Sequence, residues 1–258
     1  MVDFLPDFPA FLLVLVRVTS FFLMMPLFSY RSIPAGHKIG LGFFMAWIIL
    51  FTLDVPALEI NSTYFLLIIK EALVGVFIGF IAYMILTAIQ IAGGFIDFQM
   101  GFAIANVIDP QTGAQSPLLG QYLYTIGLLL LLTVNGHHLL LDGVFNSFRF
   151  IPLDQMWIPF GNENMVEFVI RAFNSMFIIA FQMAIPVVGS LFLVDVALGI
   201  VARTVPQLNV FVVGLPLKIG VSFIVLIAVM SVILLVVSQL FEVMLRTMRG
   251  LMELIGGS

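Results

Sequence analysis

The sequence predicts an all-α integral membrane protein with about six long hydrophobic helices arranged as bent hairpins. Of its 258 residues, 62% are hydrophobic and only 9% are charged, and the mean hydropathy is +1.21. A soluble domain usually carries about 25% charged residues. The apolar residues are also gathered into long runs with glycine and proline between them, as is typical of membrane-spanning helices and their connections.

The apolar runs define the predicted helices in chain order. Six of them can be distinguished: Phe8–Phe28, Ile39–Leu53, Ala72–Ile96, Leu123–Val134, Phe173–Val194 and Ile219–Phe241. Most approach the ~20 residues that a helix needs to cross the hydrocarbon core. The second run is short, so we expect it to use its flanking residues or to lie against other protein. Positive charges in the loops favour neither orientation in the membrane.

The segment Gly93–Gln121, which overlaps the end of the third run and reaches almost to the fourth, differs from the rest of the chain. It is rich in glycine and holds two prolines and two aspartates, without a lysine or arginine. Glycine and proline argue against a continuous helix here. Non-helical backbone is tolerated at membrane depth only where protein covers it or where it lines a polar passage. We therefore expect this segment to act as a gate or plug.

Charged residues within or beside the apolar runs form a second set of candidates, because each needs a partner or water in a membrane. They are Arg17, Lys70, Glu71, Asp97, Asp195, Arg203, Lys218 and Glu242. One interpretation is a proton relay through the carboxylates of Glu71, Asp97 and Asp195. The other is structural ion pairing with Arg17, Arg203 or Lys218, which is favoured because no span carries a pair of carboxylates. Asp195 and Arg203, eight residues apart near one helical face, are expected to anchor the bend that opens the last hairpin.

Glu71 is the best placed of these charges. At helical spacing it shares a face with Gly75 and Gly79, which form a small-xxx-small pair. We expect this face to meet another helix closely, and to promote assembly with partner subunits. Lys70 is the sequence neighbour of Glu71 and should point elsewhere, so we do not expect a local salt bridge between them.

Several classes of chemistry are not favoured. The chain has no cysteine and therefore no disulfide or thiolate metal site. His137 and His138 are adjacent near a helix end, and His37 has no nearby ligand partner, so a metal site is not predicted. Phosphate-binding, GxSxG and HExxH motifs are absent from the sequence, and a net charge of −4 gives no basic surface for nucleic acid. We expect a non-enzymatic protein without a cofactor, either an assembly subunit or a stand-alone small-solute or ion transporter.

Four strings in the sequence resemble one known family. They are LVRVTSFFLMMPLFSYRSIPAGHKIGLG from Leu15, GGFIDFQMGFAIANVIDP from Gly93, NGHHLLL from Asn135 and RTVPQLNVFVVGLPLKIG from Arg203. Their order and spacing are similar to those of the FliR family, a component of the flagellar type III protein-export gate that is paralogous to the injectisome export component. Asn209-Val210-Phe211 followed by Gly214 and Pro216 favours the flagellar branch.

The resemblance implies a role and a set of partners. FliR-like proteins assemble with FliP-like and FliQ-like subunits, and with an FlhB-like subunit, in the bacterial inner membrane at the flagellar basal body. Unfolded flagellar proteins pass through this gate. By the same resemblance, residues 1–171 form a FliP-like helical region and residues 172–258 a FliQ-like helical hairpin. Inverted repeats would favour the transporter instead. The sequence shows only a weak internal similarity, between PAGHKIG at Pro34 and PLKIG at Pro216.

The resemblance also places a plug in the loop 101–121. The family commonly has an aromatic side chain where this sequence has Ile104, whereas the aromatic residue here is Phe102. Apolar side chains on a glycine-rich loop suit a hydrophobic constriction that excludes water and ions. The expected plug residues are Gly101, Phe102, Ile104, Val107, Ile108, Asp109 and Pro110, the last two forming a turn. The alternative is a buried re-entrant loop with no gating role.

Overall fold

The computed structural model describes residues 8–29, 33–53, 58, 60–102, 117–156, 163–207 and 209–257. Every regular element within these ranges is an α-helix, which confirms the predicted all-helical class. The helices are α1 (Phe8–Met24), α2 (Ala35–Leu50), α3 (Ser62–Met100), α4 (Leu118–Thr133), α5 (Gly136–Phe150), α6 (Glu163–Thr204) and α7 (Val210–Gly256).

The helices differ in length far more than the apolar runs suggest. Helices α3, α6 and α7 have 39, 42 and 47 residues, and these three are long and apolar enough to cross a membrane. Helices α4 and α5 count as a fourth span only if they are taken together. The described residues thus hold three long helices rather than six comparable ones. The shorter helices are bounded by residues that interrupt a helix: α2 and α4 begin directly after Pro34 and Pro117, and a left-handed Asn135 (φ 56°) separates α4 from α5.

The chain forms two compact units. Unit 1 comprises Met1–Ile85, Asn135–Phe173 and Glu242–Ser258, and unit 2 comprises Leu86–Val134 and Asn174–Phe241. Helices α3, α6 and α7 each contribute residues to both units. The boundary expected at residue 171 comes from likeness to other proteins rather than from packing, and it stays a prediction.

Unit 1 is built around α1, whose side chains are buried on most of its circumference. Its fully buried residues include Leu13, Val14, Val18, Phe21 and Phe22. Helix α2 approaches closely at Gly42, where a Cβ atom would lie 2.7 Å from the Thr19 Cγ2. The Phe11 ring packs edge-on against Phe43 and Trp47, with centroids 5.2 and 5.8 Å away. Burial of these large side chains supplies most of the favourable free energy of this unit.

Unit 2 contains the second half of α3 together with α4 and the central parts of α6 and α7. Its buried side chains include Ile89, Ile96, Leu123, Leu191 and Val237. Helices α6 and α7 remain largely exposed: only 28% and 17% of their most apolar windows are buried, compared with 61% for α3. The apolar outer surfaces of α6 and α7 therefore need lipid or other protein.

Candidate functional site

The gate segment begins later than the sequence predicts. Gly93 and Gly94 lie inside α3, which continues to Met100, so the expectation that this part of the segment is non-helical is wrong. The glycines serve a close contact instead. A Cβ atom on Gly93 would overlap the backbone of Gly120 in α4, and one on Gly94 would lie 3.4 Å from Pro117. Close packing of two helices thus offsets the low helix propensity of glycine.

The chain leaves α3 through Gly101, whose φ of 91° lies in the left-handed region that favours glycine. A Cβ atom there would lie 2.8 Å from the Leu215 Cδ1 of α7. Gly101 and the partly exposed Phe102 are the only expected plug residues within the described ranges. The others, Ile104, Val107, Ile108, Asp109 and Pro110, lie outside the described residues.

Asp97 joins the two ends of this segment. Its backbone oxygen accepts a hydrogen bond from the Phe102 amide at 3.0 Å, and its Oδ2 accepts one from the Leu119 amide at 3.0 Å. Leu119 lies in the first turn of α4, where amide groups have no partner in their own helix. Pro117, which precedes α4, supplies no side-chain cap. The buried Asp97 carboxylate therefore caps α4 from a neighbouring helix, where the helix dipole also favours negative charge.

A polar cluster in unit 2 lies beside Gly101. The Gln99 side-chain amide donates to Asp195 Oδ2 at 2.8 Å, and the Lys218 ammonium forms an ion pair with Asp195 Oδ1 at 2.5 Å. Lys218 also approaches the Gln99 carbonyl oxygen, at 3.5 Å. We call Gln99, Asp195 and Lys218 the half-exposed cluster, since the Lys218 and Asp195 side chains are 20% and 37% exposed. It links α3, α6 and α7.

A cavity of about 400 Å³ lies next to the half-exposed cluster. Its lining is mostly apolar, with Asp195 and Lys218 as the charged members: Met100, Gly101, Asp195, Leu198, Gly199, Val210, Phe211, Gly214, Leu215 and Lys218. Arg203 is not part of it. Arg203 is exposed in the last turn of α6, and the ion pair of Asp195 is made with Lys218.

A second polar cluster is buried in unit 1. The Arg17 guanidinium donates to both carboxylate oxygens of Glu71, with Nη2 at 2.9 Å from Oε1. The remaining donors of Arg17 reach the Ser147 Oγ at 3.2 Å and the Ile151 carbonyl oxygen at 2.8 Å. The guanidinium also lies 4.1 Å from the centre of the Phe148 ring. Arg17 and Glu71 are fully buried, so their charges are paired and hydrogen-bonded as burial requires.

Lys70 belongs to the same cluster, which corrects the sequence prediction. Its ammonium forms an ion pair with Glu71 Oε1 and donates to the carbonyl oxygens of Pro152 and Leu153 at 3.0 and 3.3 Å. Adjacent residues leave a helix in different directions, but the four-carbon side chain of lysine is long enough to turn back. We call Arg17, Lys70 and Glu71 the buried cluster.

The glycine face of α3 is occupied within the chain. A Cβ atom on Gly75 would overlap the Ser20 Oγ and the Arg17 carbonyl oxygen, and one on Gly79 would lie 2.8 Å from the Met24 Cβ. The face does meet another helix closely, but that helix is α1 of the same chain. At these two glycines the face is therefore filled by the chain itself, and a role for it in assembly with partner subunits stays a prediction.

The three carboxylates proposed for a relay each have separate partners. Glu71 is paired with Arg17 and Lys70, Asp97 accepts from a backbone amide, and Asp195 is held by Gln99 and Lys218. These contacts support the structural interpretation of the charges. Sequence reasoning missed Ser147 and Gln99, since an isolated serine or glutamine gives no signal of the partner that it meets.

Comparison with known proteins identifies relatives over nearly the whole chain. A family model described as bacterial export proteins, family 1, matches residues 8–244. The chain is 63% identical over 252 residues to the flagellar biosynthetic protein FliR of Bacillus subtilis (strain 168), covering 97% of each chain. It is 30% identical over 222 residues to the protein of the same name from Escherichia coli (strain K12), covering 85% of this chain and 83% of that one.

A further relative carries a different name. The chain is 32% identical over 174 residues to the Yop proteins translocation protein T of Yersinia pestis, covering 67% of this chain and 66% of that one. Both polar clusters, and the segment between α3 and α4, lie inside the range that the family model matches.

Proposed function

We propose that this chain helps to form and seal the channel for unfolded flagellar proteins. The proposal rests on two findings: the chain belongs to the FliR family of bacterial export proteins, and it is a subunit of a type III export gate. The channel crosses the bacterial inner membrane at the flagellar basal body. The chain acts there as a structural component of the export apparatus rather than as an enzyme.

The observation that carries the sealing role is the anchoring of the segment between α3 and α4. Asp97 accepts hydrogen bonds from Phe102 at one end and Leu119 at the other, and Gly93 lies against Gly120 just beyond them. A segment whose ends are held together by buried contacts can present its apolar residues at a defined place. Phe102, Ile104, Val107 and Ile108 are the residues proposed to close the channel, since a ring of apolar side chains excludes ions by dewetting.

Partner subunits are proposed to cover the outer surfaces of α6 and α7. Both helices expose large apolar side chains along much of their length, among them Phe192, Leu193, Ile200, Ile224 and Ile227. Patches of this size mark contacts with protein or lipid. The proposed partners are FliP-like, FliQ-like and FlhB-like subunits, with residues 1–171 taking the FliP-like place in the assembly and residues 172–258 the FliQ-like place.

Ion conductance across bilayers that hold the assembled complex tests the sealing role. Deleting Phe102–Val107 should leave the complex assembled but let ions or small solutes through. Ile104→Ser should leak less than the deletion, because Phe102 and Ile108 remain as barriers. Phe98→Ser is the matched control: Phe98 is an exposed aromatic residue one helical turn earlier, in α3, and its loss should not open the channel.

Two results would count against the proposal. If the complex with Phe102–Val107 deleted conducted ions no better than the wild type, this segment would not be the plug. A stable, monodisperse wild-type monomer that transports a small solute without partner subunits would favour the stand-alone transporter.

A further inference from the structure

A cleft in unit 1, lined by residues outside the gate segment, has the chemistry of a ligand site. It has a volume of about 420 Å³ and lies between α5 and the C-terminal part of α7. The two helices approach closely at Gly143, where a Cβ atom would lie 3.0 Å from the Met248 Cε, and at Gly256, where one would overlap the Phe150 carbonyl oxygen. The cleft is lined by Leu139, Asp142, Gly143, Asn146, Arg149, Phe150, Leu245, Met248, Arg249, Met252 and Glu253.

Four charged side chains line the cleft, two of them acidic and two basic. Asp142 and Arg149 lie on α5, Arg249 and Glu253 lie on α7, and all four residues are exposed. None of them forms an ion pair within the described ranges. By contrast, two charged residues of the same α7 segment that lie outside the cleft lining do form an ion pair: the Arg246 guanidinium lies 3.5 Å from the Glu242 carboxylate.

The walls of the cleft are apolar. Leu139 and Phe150 contribute from α5, and Leu245 and the buried Met248 and Met252 contribute from α7. Apart from Lys218, the charged residues of α7 all lie at or after Glu242, which directly follows the apolar run that ends at Phe241. Charged and polar residues at the end of an apolar run are typical of the zone where a helix passes from hydrocarbon to the lipid head groups.

We propose that this cleft binds the head group of a zwitterionic phospholipid of the phosphoethanolamine class. Guanidinium groups bind phosphate oxygens through paired hydrogen bonds, so Arg149 and Arg249 take the phosphate. A primary ammonium donates to carboxylates, so Asp142 and Glu253 take the ethanolamine nitrogen. The apolar walls receive the start of the acyl chains. One lipid molecule thus satisfies both signs of charge and the apolar surface together.

Native mass spectrometry of the purified full-length chain tests the site. The chain is offered phosphatidylethanolamine, phosphatidylglycerol or phosphatidylcholine of the same acyl composition. Wild type should retain phosphatidylethanolamine best, because the trimethylated nitrogen of phosphatidylcholine cannot donate hydrogen bonds and phosphatidylglycerol has no ammonium. Arg149→Gln with Arg249→Gln should reduce retention of all three lipids, by about tenfold or more, since charge-assisted bonds to phosphate are lost.

Carboxylate variants separate the two halves of the site. Asp142→Asn with Glu253→Gln should abolish the preference for phosphatidylethanolamine while leaving phosphate-dependent retention in place. Arg246→Gln is the matched control: it removes one positive charge from the same stretch of α7, outside the cleft lining, and should retain lipid as the wild type does. Circular dichroism and gel filtration identify any variant that has lost its fold.

Several outcomes would overturn the proposal. If the wild type retained the three lipids equally, the proposed contact between the carboxylates and the ethanolamine ammonium would be wrong. If Arg246→Gln lost as much bound lipid as the double arginine variant, the effect would be one of general charge rather than of this cleft. Cross-linking from position 249 to a protein subunit, with no lipid retained, would assign the cleft to protein contact instead.

Discussion

The buried cluster of unit 1 and the half-exposed cluster of unit 2 use similar residues in different surroundings. In the buried cluster Glu71 meets two cations, and none of the three side chains is more than 4% exposed. In the half-exposed cluster Asp195 meets one cation and one amide, and water reaches both charges. A buried charge that loses its partner stays in a medium of low dielectric, whereas a half-exposed one can be resolvated. We infer that the buried cluster anchors the fold and that the half-exposed cluster tolerates rearrangement.

Glu71→Gln should have the largest effect of any change in the two clusters. It leaves the buried cations Arg17 and Lys70 without a counter-charge. Removing one partner of a buried ion pair costs about 3–5 kcal/mol. We expect poor accumulation of the protein and a clear fall in its thermal unfolding midpoint in detergent. Glu167→Gln is the control, since it breaks an exposed pair with Arg171 whose contribution is about 0.5 kcal/mol or less. Equal midpoints for the two variants would contradict the anchoring role.

Gly75→Ala should have the second-largest effect, lowering the free energy of unfolding by about 1–3 kcal/mol through overpacking. The added methyl group would overlap the Ser20 Oγ and the Arg17 backbone oxygen, so α1 and α3 must move apart. Gly40→Ala in α2 provides the comparison, because a Cβ atom there would meet no side chain or neighbouring helix within 4 Å and alanine favours helix. Unfolding midpoints of both variants give the measurement. If Gly75→Ala is as stable as Gly40→Ala, the close contact of α1 and α3 is not required.

Asp97→Ala should cost about 1–2 kcal/mol, the usual value of a helix cap. It removes the acceptor of the Leu119 amide, while the hydrogen bond from Phe102 to the Asp97 backbone oxygen can persist. Asp97→Asn keeps a side-chain oxygen and should cost less. Hydrogen exchange at the start of α4 should accelerate in the alanine variant and change little in the asparagine variant. Similar exchange in wild type and Asp97→Ala would show that the carboxylate does not hold α4.

The pair of Asp195 and Lys218 should show the smallest coupling. A double-mutant cycle with Asp195→Asn and Lys218→Met should give about 0.2–1 kcal/mol, since water already reaches both side chains. Complex yield and unfolding midpoints supply the data. A coupling energy of several kcal/mol between Asp195 and Lys218 would contradict the proposed difference between the half-exposed and the buried cluster. If Asp195→Asn leaves assembly intact but makes export insensitive to the proton gradient, the relay interpretation is the better one.

The class of the protein could be predicted from the sequence because it depends on composition. A chain with 9% charged residues cannot cover itself with polar groups, and its long continuous apolar runs are typical of helices that satisfy their own backbone in lipid. Helical periodicity likewise placed Glu71, Gly75 and Gly79 on one face, since that relation is local. Identification of the family depended on the order and spacing of four strings, which is also a property of the sequence.

The partners of each residue were decided only by the tertiary structure. Glu71 meets Arg17 across 54 positions and Asp97 meets Leu119 across 22, and no local pattern specifies which helix will pack on a given face. The helical state of Gly93 shows the same limit. Propensity opposes a helix there, but close packing on Gly120 favours it, because burial of distant surfaces outweighs a local preference of about 1 kcal/mol per glycine. Composition and periodicity thus determined which elements form, and packing determined which of their faces meet.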